Sequence, residues 1–272
     1  MKKYRITSGK NFKLKRFNPS DTGHFENNTE SEAEARGEAA KLFNKFDELQ
    51  EIFYADGRRS LLIILQAMDT GGKDGTIKKV LATAHPQGLK IASFKVPTPL
   101  ELSHDFLWRI HKEVPPKGIV GVFNRSHYED VLITRVHGLV SEKVVKHRFE
   151  QIREFEELLR ENGTTILKFF LHISKDEQKR RLEERLKDPL KRWKFHPGDL
   201  KERALWPKYM HAYEDAIAHT ATNEAPWYVI PSNRKWYRNY LVAKILVETL
   251  KEMDLKYPPL PEGMNWKKIR VV

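Results

Sequence analysis

The chain has 272 residues, 40% of them hydrophobic and 11% aromatic, which suffices for a sizeable core in one large α/β domain or two small ones. It contains no cysteine, which excludes disulfides, thiolate metal sites and thiol catalysis and fits a reducing compartment. A net charge of +12 points to a polyanionic partner, whether nucleic acid, anionic lipid or a phosphate polymer.

The N-terminus, Met1-Lys2-Lys3-Tyr4, lacks the apolar core of a signal peptide. No later apolar run approaches the roughly 20 residues of a membrane span. A cytoplasmic protein without a membrane partner is expected. Residues 1 to about 29 are polar and irregular, with Asn18-Pro19-Ser20-Asp21 and Glu26-Asn27-Asn28 as loop signals. A helix is predicted from about Ser31 to Ala55, opened by Ser31-Glu32-Ala33-Glu34 at capping-box spacing. Leu42, Phe43, Phe46, Leu49, Ile52 and Phe53 recur along it at helical spacing. These residues, 1–55, form an N-terminal extension and helix.

A strand over Leu61–Leu65 follows, apolar enough to be buried on both faces as parallel strands are. It breaks into Gln66-Ala67-Met68-Asp69-Thr70-Gly71-Gly72-Lys73-Asp74-Gly75, and a helix is predicted over Thr76–Thr83. Strand, glycine turn and helix in that order make a phosphate cradle, with converging backbone N–H groups, a positive helix end and one lysine. The loop narrowly misses the common pattern G-x-x-x-x-G-K-S/T. Ala67 replaces the first glycine, Gly72-Lys73 match, and Asp74 replaces the hydroxyl residue that touches magnesium. A tight turn with a solvated lysine would account for the string alone; the buried strand before it favours the cradle. Asp69, a hard oxygen ligand in the same loop, is a candidate for the metal role lost at Asp74.

Strand Ile91–Val96, helix Leu100–Lys112, strand Ile119–Phe123, a long helix from about Glu142 to Glu161 and strand Thr165–Ile173 come next. A charged helix over Lys175–Leu186, another over about Leu200–His219, strand Trp227–Ile230 and helix Trp236–Lys251 complete the order. Five strands alternating with helices predict a parallel sheet covered on both faces, with no repeat and no domain break across 1–272. Ligands in such sheets bind beyond the carboxyl ends of the strands. Three strand ends are unusually polar: the cradle, the run Asn124-Arg125-Ser126-His127-Tyr128-Glu129-Asp130, and Ser174-Lys175-Asp176-Glu177 with Arg181 and Arg185 one turn apart behind it.

In the second of these, Arg125 suits phosphate because a guanidinium binds two oxygens at once. Asp130 is a candidate for a metal or an attacking group, and Glu129 with it for either the metal region or a helix N-terminus. His127 is expected to have a structural or substrate-shaping role and no catalytic one, since phosphoryl transfer needs little proton chemistry. The stretch from Lys179 to Arg203 is the most basic in the chain, and Trp193 and Phe195 interleave with its cations, among them Lys194. A basic lid over about 175–205 that closes over phosphates accounts for it better than a solvated face does.

Ala67-Met68-Asp69-x-x-Gly72-Lys73-Asp74-Gly75, Phe123-Asn124-Arg125-Ser126-His127-Tyr128-Glu129-Asp130 and Trp193-Lys194-Phe195 resemble the polyphosphate kinase 2 family. The resemblance runs from about Tyr4 to the C-terminus. It implies a P-loop nucleotide-kinase-like core, a five-stranded parallel sheet flanked by helices with a helical lid. It also implies magnesium-dependent phosphoryl transfer, with manganese as a substitute ion, between inorganic polyphosphate and AMP, ADP or ATP. In this family the cradle carries Asp-x-x-Gly-Lys, so the missing serine is normal. The resemblance makes Asp69, with Asp130 or Asn124, the magnesium and acceptor-positioning groups. Gly71, Gly72, Lys73, Asp74, Gly75, Arg181, Arg185 and Lys194 would bind polyphosphate. Asn124, Arg125, His127, Glu129 and Asp130 would bind the nucleotide, and Lys73, Asp69, Arg125 and Asp130 would carry catalysis. A homo-oligomer, dimer or tetramer, is implied as well. Members that favour ADP commonly carry Tyr-Asn-Arg where this chain has Tyr128-Glu129-Asp130; the acidic version looks like the class III branch, which phosphorylates both AMP and ADP. The rival readings are an ATP-dependent nucleotide kinase and a polyanion-binding protein. No ordered basic-aromatic motif for nucleic acid is present, so nucleic acid is not expected as a partner.

Overall fold

The computed structural model describes residues 1–261 and 269–270; residues 262–268 and 271–272, the end of the predicted 1–272 domain, lie outside the described residues. The elements in chain order are β1 (Arg5–Ile6), α1 (Thr29–Asp56), β2 (Ser60–Gln66), α2 (Lys73–Val80), β3 (Leu89–Ser93), α3 (Pro99–Leu102), α4 (Trp108–His111) and β4 (Val120–Asn124). They continue with α5 (Ile133–Val136), α6 (Glu142–Glu161), β5 (Thr164–His172), α7 (Lys175–Lys187), α8 (Gly198–Ala204), α9 (Trp206–Thr220), β6 (Trp227–Pro231) and α10 (Lys235–Glu252).

Among the described residues the sheet has six strands, in the order β1-β6-β5-β2-β4-β3, not five. β2 to β6 are parallel, but β1 pairs antiparallel with β6 through Arg5↔Tyr228 and Ile6↔Trp227. The sheet is therefore mixed. A two-residue edge strand has no apolar run for sequence reasoning to find.

β2 lies at the centre with all seven residues buried. Successive side chains point to opposite faces. Leu61, Ile63 and Leu65 pack with α1 and α10, while Leu62 and Ile64 pack with α6 and α9. α6 shows why the second face closes: Val145, Phe149, Ile152, Phe155 and Leu159 form one buried stripe. α1 begins at Thr29 rather than Ser31, because Asn28 Oδ1 accepts from Ser31 N at 2.8 Å and takes the cap. Two predicted helices are broken. The one over 100–112 divides into α3 and α4, where Asp105 Oδ1 accepts from Leu107 N at 2.9 Å in a local turn. The one over 200–219 divides at Leu205, because Trp206-Pro207 starts a new helix whose proline has no N–H to continue the old one.

β5 ends at His172, which is buried, and its Nδ1 has no hydrogen-bond partner. Burial pushes its pKa down from 6.5 to about 4, opposed only by a backbone contact to Phe17. The depressed value leaves folded His172 neutral while the unfolded chain still takes up the proton. Stability is therefore expected to fall as pH drops from about 6.5 towards about 4. Denaturant unfolding at several pH values checks this. His172→Phe should flatten that part of the profile, and an unchanged slope would refute the assignment. Among the described residues no helix is long and apolar enough to cross a membrane.

Candidate functional site

β2 and β4 are neighbours with Leu65 opposite Asn124, so their loops emerge side by side at the carboxyl edge. In the β2 loop, Thr70 has φ 63° and Gly72 φ 107°; in the β4 loop, Arg125 has φ 65°. Two of the four non-glycine residues with positive φ among the described residues thus lie in these two loops. Such conformations cost about 1–3 kcal/mol each and persist where surrounding structure enforces them. A Cβ on Gly71 would lie 2.5 Å from Ala67 Cβ and 2.8 Å from the Met68 carbonyl, so the turn closes only with glycine there.

α2 starts at Lys73, earlier than expected, and its free N–H groups face the loop. Lys73 Nζ donates to Ala67 O at 2.9 Å, which aims the half-buried ammonium across the turn. Burial and then the charge of Arg125 push its pKa below the usual lysine range, while Asp69, Glu129 and Asp74 pull it back. Arg125 donates to Asp69 Oδ1 at 3.3 Å. Burial works against its charge, but Glu129 and Asp69 outweigh it and hold the guanidinium pKa above its ordinary value. Burial raises the Glu129 pKa, opposed by Arg125 and Lys73. Asp69, Lys73, Arg125 and Glu129 thus form one electrostatic group.

Asp130 points away from it. Residues His127–Val131 form a 3-10 helix, in which one step turns the side chain by about 120°. Glu129 therefore faces the loops and Asp130 faces Arg148, 3.7 Å away. Burial raises the Asp130 pKa and Arg148, Arg109 and His127 oppose it, while the Asp130 charge itself adds to the rise at Glu129. His127 also turns away from the loops. It is fully buried with Nε2 3.4 Å from Glu156, in a cluster where Tyr128 donates to Glu156 at 2.7 Å and Lys168 to Glu156 at 2.5 Å. This cluster anchors the loop that carries Arg125 and Glu129. Asn124 Nδ2 donates to Asp74 at 2.6 Å and ties the two loops together.

The lid residues separate in the same way. Ser174 caps α7, but Glu177 is not its reciprocal partner; it accepts from Arg181 Nε at 2.6 Å. Arg181 is buried, and its remaining donors go to backbone carbonyls: Thr70 at 2.8 Å, Gly71 at 3.3 Å, Asn233 at 3.3 Å, and Ser232. All five guanidinium N–H groups are spent. Arg181 braces the cradle from behind and has no donor left for a ligand. Arg185 and Lys194 do face the front, together with the 78%-exposed Trp193.

Two clefts meet here. One, of about 580 Å³, runs over the cradle between Lys95, Arg185 and Lys194. The other, of about 340 Å³, is lined by Glu129, Leu132, Ile133, Tyr209 and Tyr213. Asp69, Arg125 and Asp199 belong to both and form the common wall. A larger hollow of about 660 Å³ along β3 borders the first through Ser93, Phe94 and Lys95 but touches neither loop. Sequence reasoning missed Lys95, Asp199, Tyr209 and Tyr213. Lys95 was within reach, because it follows β3 at a strand end; the tyrosines, on α9, read as ordinary core positions.

Among the described residues no three carboxylate or histidine side chains gather to enclose a metal. A cation that binds together with substrate phosphates is commonly held by only one or two carboxylates and keeps several waters. Asp69 is the fitting carboxylate, half-buried beside the cradle.

The sequence profile of the family described as polyphosphate kinase 2 matches residues 29–258. The chain is 55% identical over 267 residues to an AMP/ADP-polyphosphate phosphotransferase of Meiothermus ruber, covering 98% of both chains. It is 44% identical to an ADP-polyphosphate phosphotransferase of Rhodopseudomonas palustris, over 79% of this chain and 78% of that one. The crystal structure of polyphosphate kinase 2 from Arthrobacter aurescens superposes with a TM-score of 0.91 at 45% identity, covering 95% of this chain and 92% of the other.

Proposed function

The chain belongs to the polyphosphate kinase 2 family, and we propose that it transfers the terminal phosphoryl group of inorganic polyphosphate to AMP and to ADP. The observation that carries this reading is the common wall of Asp69 and Arg125 between a cationic cleft and an aromatic one. Polyphosphate lies along the first, with its terminal group in the cradle under Lys73, Arg185 and Lys194. The nucleotide lies in the second, its base among Tyr209, Tyr213 and Leu132 and its phosphate towards Arg125.

An acceptor phosphate oxygen attacks the terminal phosphorus in line. The new P–O bond forms as the bridging P–O bond breaks, and the shortened polyphosphate leaves with the electron pair. Lys73 and Arg125 offset the charge of two polyanions that would otherwise repel each other, and both loops are preorganised by the strained residues described above. Magnesium or manganese, when bound, neutralises phosphate charge, and Asp69 would hold it. Purified protein with magnesium, polyphosphate as sole donor and either AMP or ADP, with products separated by chromatography, tests the reading. An ATP-dependent kinase would give no product with this donor.

Only Glu129 of the acidic pair reaches the acceptor cleft, so it is the residue that tells acceptors apart. A carboxylate there repels a bound phosphate unless a cation bridges them. A short nucleotide must bring its phosphate to that position, whereas ADP extends past it. Glu129→Gln is expected to lower kcat/KM for AMP several-fold more than for ADP, measured side by side. Equal losses would remove Glu129 from acceptor selection.

A further inference from the structure

Arg238, on the first turn of α10, is a buried cation that the proposed reaction leaves unused. It is 3% exposed. Among the described residues its side chain donates only to Oδ1 of its neighbour Asn239, at 3.1 and 2.9 Å. Among the described residues no carboxylate pairs with it, and the charges near it, Arg181 and Lys235, are cations that repel it. Its guanidinium lies directly behind the cradle: a Cβ on Gly72 would come within 1.8 Å of one terminal nitrogen, and one on Gly75 within 3.5 Å of the other.

A buried charge without a counter-charge is costly, and arginine keeps its proton at any pH where proteins fold. Burial and Arg181 therefore work against the stability of the folded chain and do not neutralise the group. A surface position would carry no such cost, and a purely structural position would be served equally by an apolar side chain of similar length. The Gly72–Gly75 backbone lies against the guanidinium, so a negative charge bound on the far side of that turn would be close to it.

We propose that Arg238 is a positioning residue for the bound phosphate chain. It acts through the Gly72–Gly75 backbone, without touching the ligand, and its unfavourable burial in the free protein is relieved when polyphosphate occupies the cradle. The inference rests on the cradle reading given above. It predicts effects of opposite sign. Arg238→Met should raise the Tm of the free protein by about 2–4 °C, because a buried unpaired charge has been removed. The same variant should bind polyphosphate about tenfold more weakly, because a close, poorly screened cation has gone, and should raise KM for polyphosphate more than it lowers kcat. Arg238→Lys, which keeps the charge, should retain most of the binding and gain no stability.

Thermal unfolding and direct titration of both variants, with tripolyphosphate as the probe, supply the test, and Lys73→Ala serves as the comparator. If Arg238→Met unfolds earlier than wild type or fails to fold, Arg238 is structural and the inference is overturned. If it binds tripolyphosphate as wild type does while Lys73→Ala does not, the inference fails and the cradle stands. If Lys73→Ala also binds as wild type does, the cradle reading falls and the inference falls with it.

Discussion

Lys73→Ala is expected to lower the rate of polyphosphate-dependent nucleotide phosphorylation by about 10²–10³-fold, the usual loss when one preorganised charge donor is removed from a transition state. Its ammonium is held by a single contact to Ala67 O and is surrounded by Asp69, Glu129 and Asp74. That arrangement fixes a cation at the mouth of the turn. The side chain adds little to the core, since α2 anchors through Thr76 and Val80. Circular dichroism and Tm should therefore stay close to wild type. A folded variant retaining a third of wild-type turnover would remove the cradle from the reaction.

Asp69→Asn should cost nearly as much, with a different signature. The amide preserves the shape of the loop but loses the charge that holds a hard cation. It also replaces the ion pair between Arg125 and Asp69, at 3.3 Å, with a neutral hydrogen bond. The expected outcome is a large loss of rate together with a rise in the magnesium concentration needed for half-maximal activity. The rate should be measured across a magnesium titration at fixed polyphosphate. A variant slowed at every magnesium concentration by the same factor would place the metal elsewhere.

The features legible in the sequence were those written in contiguous residues. β2 is a run of branched apolar side chains because it is buried on both faces, and the turn after it announces itself through glycine and lysine. The Asn124–Asp130 loop was found as a polar run at a strand end. What could not be read was direction. Glu129 and Asp130 are adjacent in sequence and alike in chemistry, yet one step of 3-10 helix sends them to different partners. Arg181 and Arg185 share a helix face at four-residue spacing, but burial of the first turned it into a brace. His127 was expected to be structural or substrate-shaping, with nucleotide binding implied by the family resemblance; it is buried against Glu156, which fits the structural role. The strand β1 was invisible because two residues carry no period. Arg238 gave no local sign either, since its role depends on Gly72, far away in the chain.

The bracing by Arg181 has a mechanical consequence. One guanidinium fastens the second turn of α7 to the Thr70 and Gly71 carbonyls, so the root of the lid and the floor of the cradle form one rigid joint. Any hinge must lie further along, where Arg185 is held only by the Lys194 carbonyl and by Asp199 at 3.6 Å, and where Asp188-Pro189 ends the helix. The lid then behaves as a lever with a fixed heel. On the reading proposed above, its tip, carrying Trp193 and Lys194, would be the part that closes over a phosphate chain while the cradle keeps its shape. With the heel fixed, a polymer bound as proposed would advance by one unit after each transfer without the cradle being rebuilt for the next.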